Sequence, residues 1–473
     1  MQRGLRRVVL AGLLAGLLGI GCVGTAVAST TADTDGRRSL TGSIDGAAYR
    51  IEVPERWNGT LVLYSHGYYP PGFPSFGLPV TNRPPDRSET EAWLLEHGYA
   101  LAASQFKEGG TGYQIESALQ DQTALLDHFS DAVGRPRRTV ATGQSLGATI
   151  AVLLAERNPG RFDGVATMCG GYDPQGMFNA VLDMNFAIKT LLAPGKDIDL
   201  VRPRDAAAST EALVQAIQQA LATPQGRARL SLAGAFNNVV GWYDAHGPQP
   251  TDLTESIRQQ ASWLQNAYVL GLGPGARVDL ERKAGGNPSS NAGVDYRRQL
   301  ARSARKDIVR RAYGEAGLSL RDDLDRLADA PRISADPGAV DYMYRYGVPQ
   351  GRTPAPVITM HSTGDGGAVP DHERWYAAQV RRAGDPGKLR QLYVGRGNHC
   401  SFSAADELTE LRTLFQRIET GRWPDTSPER TNQESAAFGD PFSVVLDLGT
   451  FTDAPMPPAF TEFTPPQPLR PSR

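Results

Sequence analysis

Cysteine is scarce in this sequence, with three in 473 residues. That excludes a disulfide-stapled mini-scaffold and any multi-cysteine metal cluster. Neither sign of charge dominates: Lys+Arg 49 stands against Asp+Glu 51, a formal net charge of −2. The basic excess of a nucleic-acid binder is missing, and no nucleic-acid partner is expected. No Gly-rich loop ends in the Lys-Ser/Thr of a P-loop, and no G-x-G-x-x-G opens a helix after the first strand. His-x-x-x-His and Cys-x-x-Cys are absent too, so zinc has no ligand set and no metal or cofactor is expected. What abounds is glycine (51) and proline (34), a sign of many turns. Apolar residues at 40% and charged residues at 21% are ordinary for a folded soluble protein. The length suits one large domain with an insertion as well as two domains.

The first residues read as an export signal. Arg3, Arg6 and Arg7 precede an apolar run from Val8 to Ile20, and small residues follow up to Ala26-Val27-Ala28. That order of basic, apolar and A-x-A segments predicts a signal peptide over residues 1–28 and a secreted protein with no stable membrane partner after cleavage. An uncleaved membrane anchor is the alternative, as is a lipoprotein anchor at Cys22, although Gly19 stands where a lipobox has leucine. The Arg6-Arg7 pair leaves the export route open between the general and the twin-arginine pathway.

A polar Ser/Thr/Asp-rich linker over residues 29–44 precedes alternating short apolar runs and helical stretches. Strands are expected at Thr60–Tyr64, Tyr99–Ser104, Thr139–Thr142 and Gly164–Met168, and helices at Glu89–Glu96, Gln114–Phe129 and Ala148–Glu156. From 173 to 340 the chain reads as mostly helical, without strand alternation. The alternation resumes with strands at Pro356–Met360 and Leu389–Val394 and helices at Glu373–Arg382 and Asp406–Glu419. This predicts an α/β protein with a mostly parallel sheet flanked by helices. Its core has two parts, 45–172 and 341–423, with a large helical lid spliced between them over 173–340. A Pro-rich, largely extended tail over 424–473 completes the chain.

Gly143-Gln144-Ser145-Leu146-Gly147 stands between an expected strand and an expected helix. It matches G-x-S-x-G, in which small residues permit a tight strand-to-helix turn that projects the serine hydroxyl. A serine needs a base, and the base needs an orienting acid. Of seven histidines, His97 and His128 fall near helix ends, His246 in the lid, His372 at a helix start, and His361 on the strand before the acid candidate, where it shapes that loop. His399, in Gly395-Arg396-Gly397-Asn398-His399, follows a strand and precedes the last helix; it is the candidate base. Asp365, in Gly364-Asp365-Gly366-Gly367 ahead of Val369-Pro370, is the candidate acid, although Asp beside Gly is also ordinary turn chemistry. Tyr342, Tyr344 and Tyr346 alternate where the lid rejoins the core and read either as substrate-cleft lining or as an aromatic packing patch.

The order Ser145, Asp365, His399, with His66-Gly67 after a strand, resembles the secreted bacterial α/β-hydrolases of the serine esterase, lipase and peptidase superfamily. The resemblance spans about 45–172 and 340–423 and implies that fold, with Ser145 as nucleophile. It also implies an oxyanion hole from the backbone N–H groups of Tyr68 and Leu146, with that of Gly67 as the lesser candidate because no full H-G-G-G run is present. The activity implied is metal-free hydrolysis of a small-molecule carboxylic ester or related acyl compound through an acyl-enzyme. A prolyl- or tripeptidyl-type peptidase, anchoring a peptide terminus on Asp322, Asp323 and Asp325, is the alternative; a non-catalytic binding protein of the same fold is another. In such a fold Cys169 and Cys400 both fall at the C-terminal rim of the sheet, which predicts a disulfide; two buried free thiols are the competing reading.

Overall fold

The computed structural model describes residues 29–32, 36–70, 78–81, 88–383 and 385–472. The expected signal peptide, with Cys22, lies outside them, as does most of the Pro-rich loop between 70 and 85. Among the described residues no helix is long and apolar enough to cross a membrane.

Nine strands form one sheet: β1 (Ser29–Ala32), β2 (Arg38–Ile44), β3 (Ala47–Val53), β4 (Thr60–Ser65), β5 (Ala100–Ser104), β6 (Arg138–Gln144), β7 (Gly164–Met168), β8 (Val357–Gly364) and β9 (Leu389–Gly397). Their order is β1-β2-β3-β5-β4-β6-β7-β8-β9. The pairs from β1 to β5 through β3 are antiparallel, and every pair from β5–β4 onward is parallel. The central strands read as continuous apolar runs because both faces are covered. In β4, Leu61 and Leu63 face the cluster under α2 (Ile115–Ala132) and α3 (Leu146–Arg157), while Val62 and Tyr64 face the cluster under α1 (Glu89–Glu96) and the late helix Ala404–Thr420. This is an α/β-hydrolase fold, with crossover helices packed on both sides of a mainly parallel sheet.

Between β7 and β8 the chain forms α4 (Pro174–Leu192), α5 (Ala206–Leu221), α6 (Pro224–Ala235), α7 (Leu253–Trp263), a π-helix (Leu264–Gly271), α8 (Pro274–Ala284), α9 (Tyr296–Arg302), α10 (Lys306–Glu315), α11 (Leu320–Asp329) and α12 (Pro337–Tyr346). These helices bury a core of their own, including Leu182, Ile188, Leu213, Phe236, Tyr268, Val309 and Leu327. The expected division at 340 falls inside α12. After β8 come α13 (Asp371–Ala383), α14 (Ala404–Thr420) and α15 (Pro428–Ala436), and then a hairpin of β10 (Val444–Asp447) and β11 (Thr452–Pro455).

Two expectations need correction. The 29–44 stretch is not a free linker, since β1 and β2 lie in it and β2 pairs along its whole length with β3. The tail is not simply extended: Ser427 caps α15, Pro428 occupies its first turn, and the β10–β11 hairpin follows.

Candidate active site

Ser145 stands between β6 and α3 at φ 53° and ψ −119°, a conformation that L-residues adopt only when their surroundings impose it. The flanking glycines explain how the turn closes. A Cβ on Gly143 would sit 2.3 Å from the Gly147 carbonyl oxygen, and one on Gly147 would sit 2.0 Å from that of Ser65. Any larger residue would force the turn open and withdraw the hydroxyl.

The structure brings Ser145, His399 and Asp365 together. Ser145 Oγ lies 2.8 Å from His399 Nε2, and His399 Nδ1 lies 2.6 Å from Asp365 Oδ2. With Nδ1–H donating to the carboxylate, Nε2 keeps a lone pair to accept the serine proton. The other oxygen of Asp365, Oδ1, accepts the backbone N–H groups of Gly367 at 2.8 Å and Ala368 at 3.0 Å. Asp365 is fully buried. Burial works to raise its pKa, but the charges and hydrogen bonds of His399 and His361 outweigh it and hold the carboxyl at about 2.

The His399 loop is tied to the sheet. Cys169, which follows β7, is bonded to Cys400, with Cα atoms 5.3 Å apart. Both cysteines have positive φ (48° and 54°), as does Asn398 (66°), so backbone strain gathers on either side of the imidazole.

The His66-Gly67 loop lies against Ser145: a Cβ on Gly67 would be 3.3 Å from that of Ser145. The His66 ring stacks on Phe106 at 4.3 Å, and its Nδ1 is 2.7 Å from the Gly67 carbonyl oxygen. In a trans peptide the carbonyl and the next N–H point opposite ways, so this bond turns the Tyr68 N–H away from His66. Leu146 opens α3, where first-turn N–H groups have no partner within the helix.

Of the tyrosine trio, Tyr342 and Tyr344 pack against the core under the sheet. Tyr342 lies beside Glu116 of α2, and Arg157, at the far end of α3, donates to the Arg345 carbonyl at 2.5 Å. At ~1.5 Å per residue along α3, that end is ~18 Å from Ser145. Because α12 is a helix, the rings of Tyr342 and Tyr346 meet at 4.9 Å as i and i+4 neighbours, in keeping with the packing-patch reading. The three aspartates proposed as a peptide anchor are also engaged elsewhere. Buried Asp323 accepts from Arg229 at 2.8 Å and from the Tyr313 hydroxyl at 3.0 Å, Asp325 pairs with Arg297, and Asp322 is exposed.

Three residues of the insertion escape motif-based reading yet hold the loops that carry Asp365 and His399. The Tyr268 hydroxyl is 2.6 Å and 2.9 Å from the carbonyls of Gly366 and Gly367, and it accepts from Asn237 at 3.1 Å. Trp263 packs on Gly366 and Gly367, the latter lying between its ring and that of His399, while Trp242 packs on Gly364 and Gly397. Tyr268 sits on the π-helix, a rare element that often marks functional positions. Its contacts cross about 100 residues of sequence, so only the fold reveals them.

Asp244, His246 and Asp447 also cluster. Their polar atoms are engaged in pinning the β10–β11 hairpin: Asp244 accepts from His246 N, Asp447 from Ala245 N, and His246 Nε2 reaches the Val445 carbonyl.

Several known proteins are similar to this chain. It is 29% identical over 420 residues to o-phthalyl amidase of Xanthobacter agilis, an overlap of 82% of this chain and 88% of that one. Feruloyl esterase B of Aspergillus oryzae superposes with a TM-score of 0.38 at 12% identity, covering 82% of each chain. Tannin acyl hydrolase of Aspergillus niger does so at 0.37 and 13%, covering 85% of this chain and 83% of that one. With a match over residues 44–385, the chain belongs to the Tannase-like family of unknown function (DUF6351).

Proposed function

We propose that this protein is a secreted serine hydrolase that cleaves a carboxylic ester or a small-molecule amide through an acyl-enzyme. The observation that carries the reading is the continuous contact from Ser145 Oγ through His399 to buried Asp365. Ser145 attacks the acyl carbon while His399 Nε2 takes its proton, and Asp365 orients and stabilises the imidazolium that forms. The developing oxyanion is received by the N–H groups of Tyr68 and Leu146. His399 then protonates the leaving alcohol or amine, and water, activated by the same imidazole, releases the acid. In this reading the helical insertion covers the cleft as a lid and selects the substrate.

The tannase-like family and the esterase neighbours favour an ester, and the o-phthalyl amidase relative favours an amide. Both bonds suit one mechanism, since only the leaving group differs. A panel of p-nitrophenyl esters, gallate esters, o-phthalyl amides and aminoacyl-arylamides tests the proposal. Turnover of any of the first three, with burst release of the leaving group where deacylation is slow, supports it. Turnover confined to aminoacyl-arylamides would move the protein to the peptidases, and no turnover together with no reaction toward a fluorophosphonate would make it a binding protein.

A further inference from the structure

A second histidine stands behind the acid. His361 on β8 is fully buried. Its Nε2 is 2.7 Å from the Ala368 carbonyl oxygen and 3.5 Å from Asp365 Oδ2, and its Nδ1 is 3.1 Å from Glu373 Oε1. Among the described residues, each hydrogen-bond or ion-pair partner of either ring nitrogen is an oxygen bearing lone pairs. A neutral imidazole has one N–H and one bare nitrogen, so beside an ionised Glu373 either tautomer would set lone pair against lone pair; there only the imidazolium donates on both sides. Glu373 Oε2 accepts from the Thr359 hydroxyl at 2.6 Å and from Gln391 Nε2 at 2.5 Å, which leaves Oε1 to face the ring.

We propose that His361 is a fixed buried cation and a positioning residue for the triad: it keeps Asp365 ionised with Oδ2 presented to His399, and Glu373 is the counter-ion that holds it. The inference rests on the reading of Ser145, His399 and Asp365 as a triad. Without the cation, two carboxylates would share a dry pocket, an arrangement that drives one of them to take up a proton. A protonated Asp365 could no longer stabilise a charged His399. With the cation in place, His361, Asp365 and Glu373 carry one net negative charge, which His399 neutralises when it accepts the serine proton.

The surrounding groups fit this assignment. Burial lowers the pKa of His361, yet Asp365 and Glu373 outweigh that and raise it to about 10. His372 on α13 is pushed down to about 3 by burial and by the charge on His361, and its Nδ1 accepts the Asp173 N–H at 3.1 Å, as a neutral ring can. Facing Glu373 are the hydroxyls of Tyr172, Tyr376 and Tyr393 and the carboxyl of Glu410, all with pKa values raised by burial. From the insertion side Asp365 meets Tyr268, whose hydroxyl is engaged with the acid loop.

Two measurements on the full chain test the proposal. In nitrogen-15 spectra of histidine-labelled protein, both ring nitrogens of His361 should stay protonated from pH 6 to pH 9; a neutral tautomer at pH 7 would overturn it. In His361→Gln the lost positive charge should let the Asp365–His399 pair take up its inactivating proton at higher pH, moving the acid limb of kcat/KM up by about one pH unit with KM unchanged. A folded variant with lower kcat and an unmoved limb would mark a merely structural residue and refute the proposal. Where the variant fails to fold, the spectra decide alone. Failure of the triad itself would appear differently, as activity surviving in Ser145→Ala, whereas failure here would be a neutral His361 in an enzyme that still depends on Ser145.

Discussion

Cys400, the residue after His399, is bonded to Cys169 at the end of β7, so the loop that carries the candidate base hangs from the sheet by a covalent link. The bond spans 231 residues of sequence. For a loop of that size the chain-entropy model gives a stabilisation of about 5 kcal/mol. Intact-mass analysis of denatured, alkylated protein should find no free thiol at either position before reduction and two after it. Mild reduction should lower activity before it lowers the main unfolding transition, because the imidazole is the nearest group to lose its anchor. Two alkylated thiols in the unreduced protein would refute the bond.

The insertion is expected to contribute to catalysis through Tyr268. Replacing it by phenylalanine leaves the Gly366 and Gly367 carbonyls and the Asn237 amide without their shared partner. We expect a loss of about 1–3 kcal/mol, partly as stability and partly as a fall in kcat, since the acid loop is what loosens. Steady-state kinetics beside thermal melts will separate the two; a variant with unchanged kcat would show that the acid loop holds without this clamp.

The tail should lock the insertion to the core. Arg470 pairs with fully buried Asp183 and donates to the Ser290 carbonyl at 2.6 Å, while the Pro465 carbonyl accepts from Arg374 of α13 at 3.1 Å. Arg470→Ala strands a buried carboxylate, which should destabilise the fold by about 3 kcal/mol, and Asp183→Asn in the same chain should recover part of that. Differential scanning calorimetry checks both. Equal melting temperatures for wild type and Arg470→Ala would exclude the lock.

Stability should also carry a pH signature from Asp371. Burial pushes its carboxyl up to about 7 against the hydrogen bond from Asn238, so between about pH 4 and pH 7 the folded state holds a proton that the unfolded chain has released. Folding stability from this group therefore falls as pH rises through that window, at up to about 1.4 kcal/mol per pH unit. Asp371→Asn removes the titration, so the variant should gain on wild type between pH 5 and pH 8. Denaturant midpoints at the two pH values measure the gain, and a constant difference would contradict the assignment.

What the sequence makes legible follows from the range of the forces involved. The Ser145 turn can be read because its strain is local, relieved by two glycines within five residues. The meeting of Asp365 and His399 with Ser145 can be read because strand ends and chain order limit where such partners can stand. The β2–β3 hairpin carried a usable signal in Asp45-Gly46, a two-residue turn with φ of 49° and 88°, which composition alone hides inside a polar segment. Tyr268, Trp263 and the Arg470–Asp183 pair carry no such signal. Their partners lie far along the chain, and only folding decides which carbonyl or carboxylate each one meets. The tyrosines of α12 show the reverse failure, a local pattern whose meaning depends on whether the backbone there is strand or helix.

The central claim is that Ser145 is a nucleophile activated by His399. Its most direct test is intact-mass and peptide analysis after treatment with a fluorophosphonate, in wild type and in Ser145→Ala. Wild type should gain one adduct, located on Ser145, with loss of turnover in proportion to labelling. Ser145→Ala should gain none, and its turnover should be lower by roughly 10⁶ while its fold is unchanged. Labelling at another residue, or an unlabelled Ser145→Ala protein that still turns over substrate near the wild-type rate, would contradict the assignment.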